Sequence, residues 1–131
     1  MDVLFLIGRI LFGATLAFMS VNHFMQAGNM AGYAKSKGIP APMLAVVGSG
    51  VVLLLGALGI LLGIYPKLSV LLLVVFFLPV TLMMHNFWTI SDEQQKMNEM
   101  IQFMKNTVIV GAALMFLAIP PQWPYAVNAW L

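Results

Sequence analysis

The 131-residue chain contains no cysteine. This excludes a thiol relay, a disulfide, and a zinc–thiolate or iron–sulfur centre made by the chain alone. Charge is nearly as scarce: only 8% of residues are Asp, Glu, Lys or Arg, against roughly 25% in a soluble domain. Six basic residues face four acidic ones, for a net charge of +2. They form no basic run and no patch interleaved with aromatics, so nucleic acid is not an expected partner. There is no paired carboxylate and no Ser/His/Asp set. The glycines follow no strand, so they read as packing glycines and not as a phosphate loop.

What fills the chain is apolar: 62% hydrophobic residues and a mean hydropathy of +0.98. A surface with so few charges faces lipid. A membrane-spanning helix takes about 20 mostly apolar residues, and four such runs fit, over residues 3–25, 43–64, 68–88 and 100–118. The expected fold is all-α: a single four-helix transmembrane bundle over residues 1–131, with a short interfacial helix over 30–37 and a helical turn before the fourth span. The first run is too long for a signal-peptide core and contains Arg9, so it is expected to be a retained helix. Gly38 is the expected cap of the interfacial helix. Pro40 and Pro42 then prevent its continuation and start the second span.

Four spans place both ends of the chain at one membrane face, here side A, and the two longer loops at the other, side B. Arg9 is expected to snorkel to side A, where Trp123, Tyr125 and Trp130 of the tail read as an interfacial anchor. In the charged segment 89–100, Ser91 and Gln94 have capping-box spacing, and Asp92, Glu93 and Glu99 read as loop carboxylates. In the second span Ser49, Gly56, Gly59 and Gly63 fall on one stripe, with Gly59 and Gly63 a GxxxG step. Small residues let two helices approach closely, either within the chain or in a homo-oligomer.

The candidate site is the set of polar residues at side B. An ionisable group at membrane depth is costly without a partner and marks a functional position by default. Asn22/His23 end the first span, His85/Asn86 end the third, and Lys105/Asn106 begin the fourth, each pairing a charge-capable group with an amide. Tyr33 sits in the connecting loop, and Thr81, His85 and Trp88 share a helical face. These residues can hold a polar ligand head or satisfy one another. No metal is expected, because no inward carboxylate completes a ligand set with the histidines. A quinone would suit such a place, its tail between helices and its carbonyl oxygens accepting from imidazole, lysine or amide; a lipid headgroup would suit it equally.

Several stretches resemble the DoxX/DoxD family of small four-helix membrane proteins. They are Gly8-Arg9, Ser20-Val21-Asn22-His23-Phe24, Gly38-Ile39-Pro40-Ala41-Pro42, Gly63-Ile64-Tyr65-Pro66-Lys67, His85-Asn86-Phe87-Trp88 and Phe103-Met104-Lys105-Asn106. The resemblance implies a four-helix bundle in which Arg9, His85, Trp88, Lys105 and Asn106 occupy the family's polar positions. It also implies company: some relatives are subunits of a thiosulfate:quinone oxidoreductase, and others associate with thiol and superoxide-detoxifying proteins. This chain departs at Leu53, where the family commonly has an acid, and at His23, where it often has lysine. The expected role is thus a non-autonomous subunit of a quinone- or thiol-linked oxidoreductase system in the prokaryotic cytoplasmic membrane, with no intrinsic cofactor. The alternative is a non-catalytic scaffold that binds a partner membrane protein or lipid.

Overall fold

Prolines and glycines set most of the helix limits. A computed structural model, which describes residues 1–130, shows α1 (Asp2–Met25), α2 (Ala27–Ser36), α3 (Pro42–Leu62), α4 (Pro66–Met84) and α5 (Glu93–Met115), with single 3-10 turns at Phe87–Thr89 and Phe116–Ala118. Pro42 and Pro66 open α3 and α4, each behind a residue in the left-handed region, Ala41 at φ 46° and Tyr65 at φ 43°. Proline suits the first helical turn because the N–H it lacks would have no partner there. Gly63, at φ 69°, ends α3; that backbone conformation is unstrained only for glycine.

Four helical stretches are long and apolar enough to cross a membrane: Asp2–Met25, Pro42–Leu62, Pro66–Thr89 and Glu93–Ala118. The chain is an all-α integral membrane protein. α3 is the central helix, packing against α1, α4 and α2, while α5 packs mainly on α4. Leu16, Leu53, Ala57, Ile60, Leu73 and Phe77 are buried between the spans. Leu53 is only 1% exposed, so the position where an acid was expected is part of the apolar core. At side B, α2 packs on α3 through Ala31, Ala34 and Val46.

Small residues bring the spans together within the chain. A Cβ at Gly13 would lie 2.8 Å from Leu61 Cβ, and one at Gly56 would lie 2.8 Å from Leu73 Cδ2. At Gly59 it would fall inside the hydroxyl of Ser69, and at Gly63 it would strike Ala126 of the tail. The second-span stripe is therefore taken up by α4 and by the tail.

Four expectations need correction at side A and in the loops. Arg9 does not snorkel to the surface; it is 1% exposed. Its Nη1 donates to Pro124 O at 2.7 Å, and its Nη2 donates to Tyr125 O at 2.9 Å and Leu61 O at 3.1 Å. The tail is a plug more than a surface anchor: Trp123 is 1% exposed, and the guanidinium stacks over its ring and that of Phe5. Tyr65 N donates to Ala129 O at 2.6 Å and Val127 N to Leu62 O at 2.8 Å, which stitches the tail to the α3–α4 turn. The interfacial helix begins at Ala27, earlier than expected, and ends at Ser36 with Gly38 capping it as expected: Gly38 is at φ 81°, its N donates to Lys35 O at 3.0 Å, and Ile39 N donates to Ala34 O at 3.1 Å. α5 begins at Glu93, with Asp92 and not Ser91 as its cap: Gln95 N donates to Asp92 Oδ2 at 2.9 Å.

The α3–α4 contact yields a direct test. Gly59→Val should destabilise the protein by about 1–3 kcal/mol, as overpacking does, and lower its Tm in detergent. Gly48→Ala, where a Cβ meets nothing within 4 Å, should not. Equal Tm values for the two variants would contradict the packing described.

Candidate functional site

The residue that organises side B is one whose helix is hard to see in the sequence. Glu99 lies in the second turn of α5, on the stripe that Asn106 and Ala113 continue at seven-residue intervals. Its Oε1 accepts from Tyr33 Oη at 3.0 Å, and its Oε2 lies 2.6 Å from His85 Nδ1. A carboxylate only accepts, so His85 donates from Nδ1, leaving Nε2 as the ring's remaining hydrogen-bonding nitrogen. This is an ion pair whenever the imidazole is protonated; the two side chains are 20% and 15% exposed. One acid thus ties α5 to α2 and to the end of α4. Tyr33 Oη also lies 3.3 Å from Met84 O, the last residue of α4.

Burial, and then the hydrogen bond and negative charge of Glu99, push the Tyr33 phenol up to about 12. The phenol therefore stays a donor across the physiological range. Lys37 adds a further link: its Nζ donates to Asn86 Oδ1 at 2.6 Å and sits over the Tyr33 ring.

Beneath this cluster, between α2, α3 and α4 and the end of α1, is a cavity of about 480 Å³. Its wall is largely apolar, from Met30, Ile39, Val46, Val80, Met83 and Met84, and its polar lining includes His23, Tyr33, Ser49 and His85. Pro79 also lines it without ending α4. Ser49 Oγ donates to Val46 O at 3.0 Å and lies 3.3 Å from His23 Nε2. The hydroxyl has one proton, committed to the carbonyl, so the imidazole donates from Nε2 and keeps Nδ1 as an acceptor. His23 also packs edge-on against Phe76.

Of the residues expected at this site, His23, Tyr33 and His85 meet around the cavity, and Asn86 is held beside it by Lys37. The rest do not line it. Asn22 is exposed, and Trp88 is 54% exposed, packed edge-on against Phe87 and Phe103. Thr81 and Asn106 are buried in the bundle, Thr81 Oγ1 without a hydrogen-bond partner. Lys105 points outward, and its Nζ donates to Gln102 Oε1 at 2.6 Å. The shared face of Thr81, His85 and Trp88 fails because α4 stops at Met84. Glu99, which reads as a loop carboxylate in the sequence, lies inside α5 because that helix begins at Glu93. Among the described residues, no three His, Cys, Asp or Glu side chains gather closely enough to hold a metal ion.

With the fold and the cavity in view, the comparison with known families can be placed. Residues 4–86 match the family model described as DoxX, a stretch that runs from α1 through His85. The chain belongs to the DoxX family. Neither a curated protein nor a solved structure matches it. The DoxX match covers every element that lines the cavity, whereas Glu99 lies in α5, beyond the matched residues.

Glu99 can be tested through Tyr33. In Glu99→Gln the negative charge is gone while burial and an amide acceptor remain, so the phenol should titrate below about 12 but above the ordinary 10. Phenolate absorbance, read as the difference from a Tyr33→Phe chain, measures this. An unmoved titration would show that the carboxylate is not in contact with Tyr33.

Proposed function

We propose that this DoxX protein is a non-autonomous subunit of a quinone-linked membrane oxidoreductase system, and that its side-B cavity holds a quinone. The observation that carries the reading is the cavity itself, an apolar chamber of about 480 Å³ with two imidazoles and a phenol on its wall. That volume lies within the roughly 300–1,000 Å³ of small-molecule sites, which are mostly apolar with a few convergent polar groups. His85, when protonated beside Glu99, would donate from Nε2 to one ring oxygen, His23 Nδ1 would accept from the hydroxyl of the reduced ring, and the methionine and valine side chains would take the apolar tail. A bound quinone supplies coupled electron and proton transfer. The chain's own share is to bind and orient the head, exclude water, and keep the proton on His85 Nδ1 directed at Glu99. This part of the membrane protein carries no thiol, so any thiol chemistry belongs to a partner.

A second reading, a scaffold for another membrane protein, is favoured by α5. Only 11% of its apolar window is buried, against 39% for α3, and its outer surface carries Asn98, Lys105 and Thr107. Both readings make the chain one component of a larger assembly. In either, the membrane is taken to be the prokaryotic cytoplasmic one. Side B, with Lys35, Lys37 and Lys96 in or beside its loops, is taken to face the cytoplasm by the bias of basic residues.

Solvent extraction of protein purified in gentle detergent should release quinone near one per chain. His85→Ala should lower retention by about fivefold, the worth of one hydrogen bond of about 1 kcal/mol. Ala45→Phe, which fills the cavity, should remove it, and the outward Lys105→Ala should not change it. Quinone-free wild-type protein would sink the reading and leave the scaffold. Orientation is checked by a cysteine at Ser91: it should resist an impermeant thiol reagent in intact cells and react in inverted vesicles.

A further inference from the structure

At the opposite membrane face a second cleft, of about 340 Å³, lies between α1 and the end of α5. Its walls are apolar, among them Leu4, Phe5, Phe12, Met115 and Phe116, and the single charged residue on its lining is Arg9. Gly8 lines the same cleft, and a Cβ there would meet nothing within 4 Å, so the cleft is open at that position. The guanidinium is 1% exposed. Carbonyl oxygens take up its Nη1 and Nη2, but Nε is buried with no hydrogen-bond partner. Among the described residues no carboxylate lies within ion-pair distance of it; the one pair there is His85–Glu99, at the other face.

Carbonyl dipoles solvate a cation without neutralising it, and an unpaired charge at membrane depth is costly. Among the described residues this cation has no counter-ion, and the surrounding wall accepts only hydrocarbon. We propose that the α1–α5 cleft binds an anionic amphiphile, with its oxyanion head against Arg9 and its acyl chain along Phe12, Ala112 and Met115. The guanidinium is drawn toward the tail at side A, the level at which a lipid head would enter. Arginine is the suitable cation, since its planar fork matches carboxylate and phosphate oxygens. The head can be the carboxylate of a free fatty acid or the phosphate of a phospholipid. The site shares no residue with the side-B cavity, so it stands whether or not a quinone binds there.

The test is thermal unfolding of the full chain in nonionic detergent. Oleate is compared with methyl oleate, and phosphatidylglycerol with phosphatidylcholine of the same chains. The anionic member of at least one pair should raise Tm by about 5 °C more than its partner without net charge, as saturating ligand does for a chain of this size. Gly8→Phe, which fills the cleft and leaves Arg9 in place, should abolish that difference without lowering the Tm of the unliganded protein. A response to oleate alone identifies a carboxylate ligand, and one to phosphatidylglycerol alone identifies a phospholipid. If neither anion exceeds its partner, or if Gly8→Phe keeps the full difference, the proposal is overturned. Arg9→Lys should weaken the response while keeping a cation; if it unfolds, Gly8→Phe still decides.

Discussion

A carboxylate held by two donors at the membrane boundary is the interaction on which the side-B architecture depends. Glu99 would be costly there alone. With Tyr33 and His85 it becomes a tether that joins α5 to α2 and to the end of α4. α5 contributes least to the apolar core, and α2 is too short to be stable alone. Hydrogen bonds to a charged group contribute about 1.5–3 kcal/mol each, and they add to the apolar contact of α2 with α3 through Ala31, Ala34 and Val46. The same bonds orient the His85 ring and fix the phenol as a donor, so the cavity wall and the helix packing share one cause.

The spans were legible because lipid enforces them: a backbone that cannot hydrogen-bond to solvent must be helical, and an apolar run of the right length shows it. Proline and glycine then gave the α3 and α4 starts and the α3 end to within two residues. The side-B site was only half legible, for two physical reasons. The first turns of α5 are polar because they project beyond the bilayer, so hydropathy treats them as loop; starting the helix at residue 100 hid Glu99 and misplaced Lys105, which lies some three turns into the helix on its outer side. Helical periodicity was also carried past Met84 to Trp88, although His85 leaves the helix to meet Glu99. Nothing local announces that exit. It depends on a residue from another span, the kind of information that a single stretch of sequence does not carry.

The two membrane faces handle their charged groups by different means. At side B, acid, phenol and imidazole satisfy one another through side chains, and the geometry can change with protonation. At side A, Arg9 is held by main-chain carbonyls, which do not titrate. One end of the bundle is chemically adjustable, and at the other the cation is clamped by groups that do not titrate.

The Arg9 contacts also bear on how the molecule is made. Arg9 is synthesised well before its acceptors at Pro124 and Tyr125, which follow 115 and 116 residues later. During translation the first helix must enter the bilayer with its guanidinium still solvated by water or headgroups, and can settle to its final depth only after the last span has been delivered. Assembly at this end therefore runs backwards relative to synthesis: the earliest helix is the last to be locked, and a ribosome stalled before the tail would leave in the membrane a bundle that is threaded but not sealed.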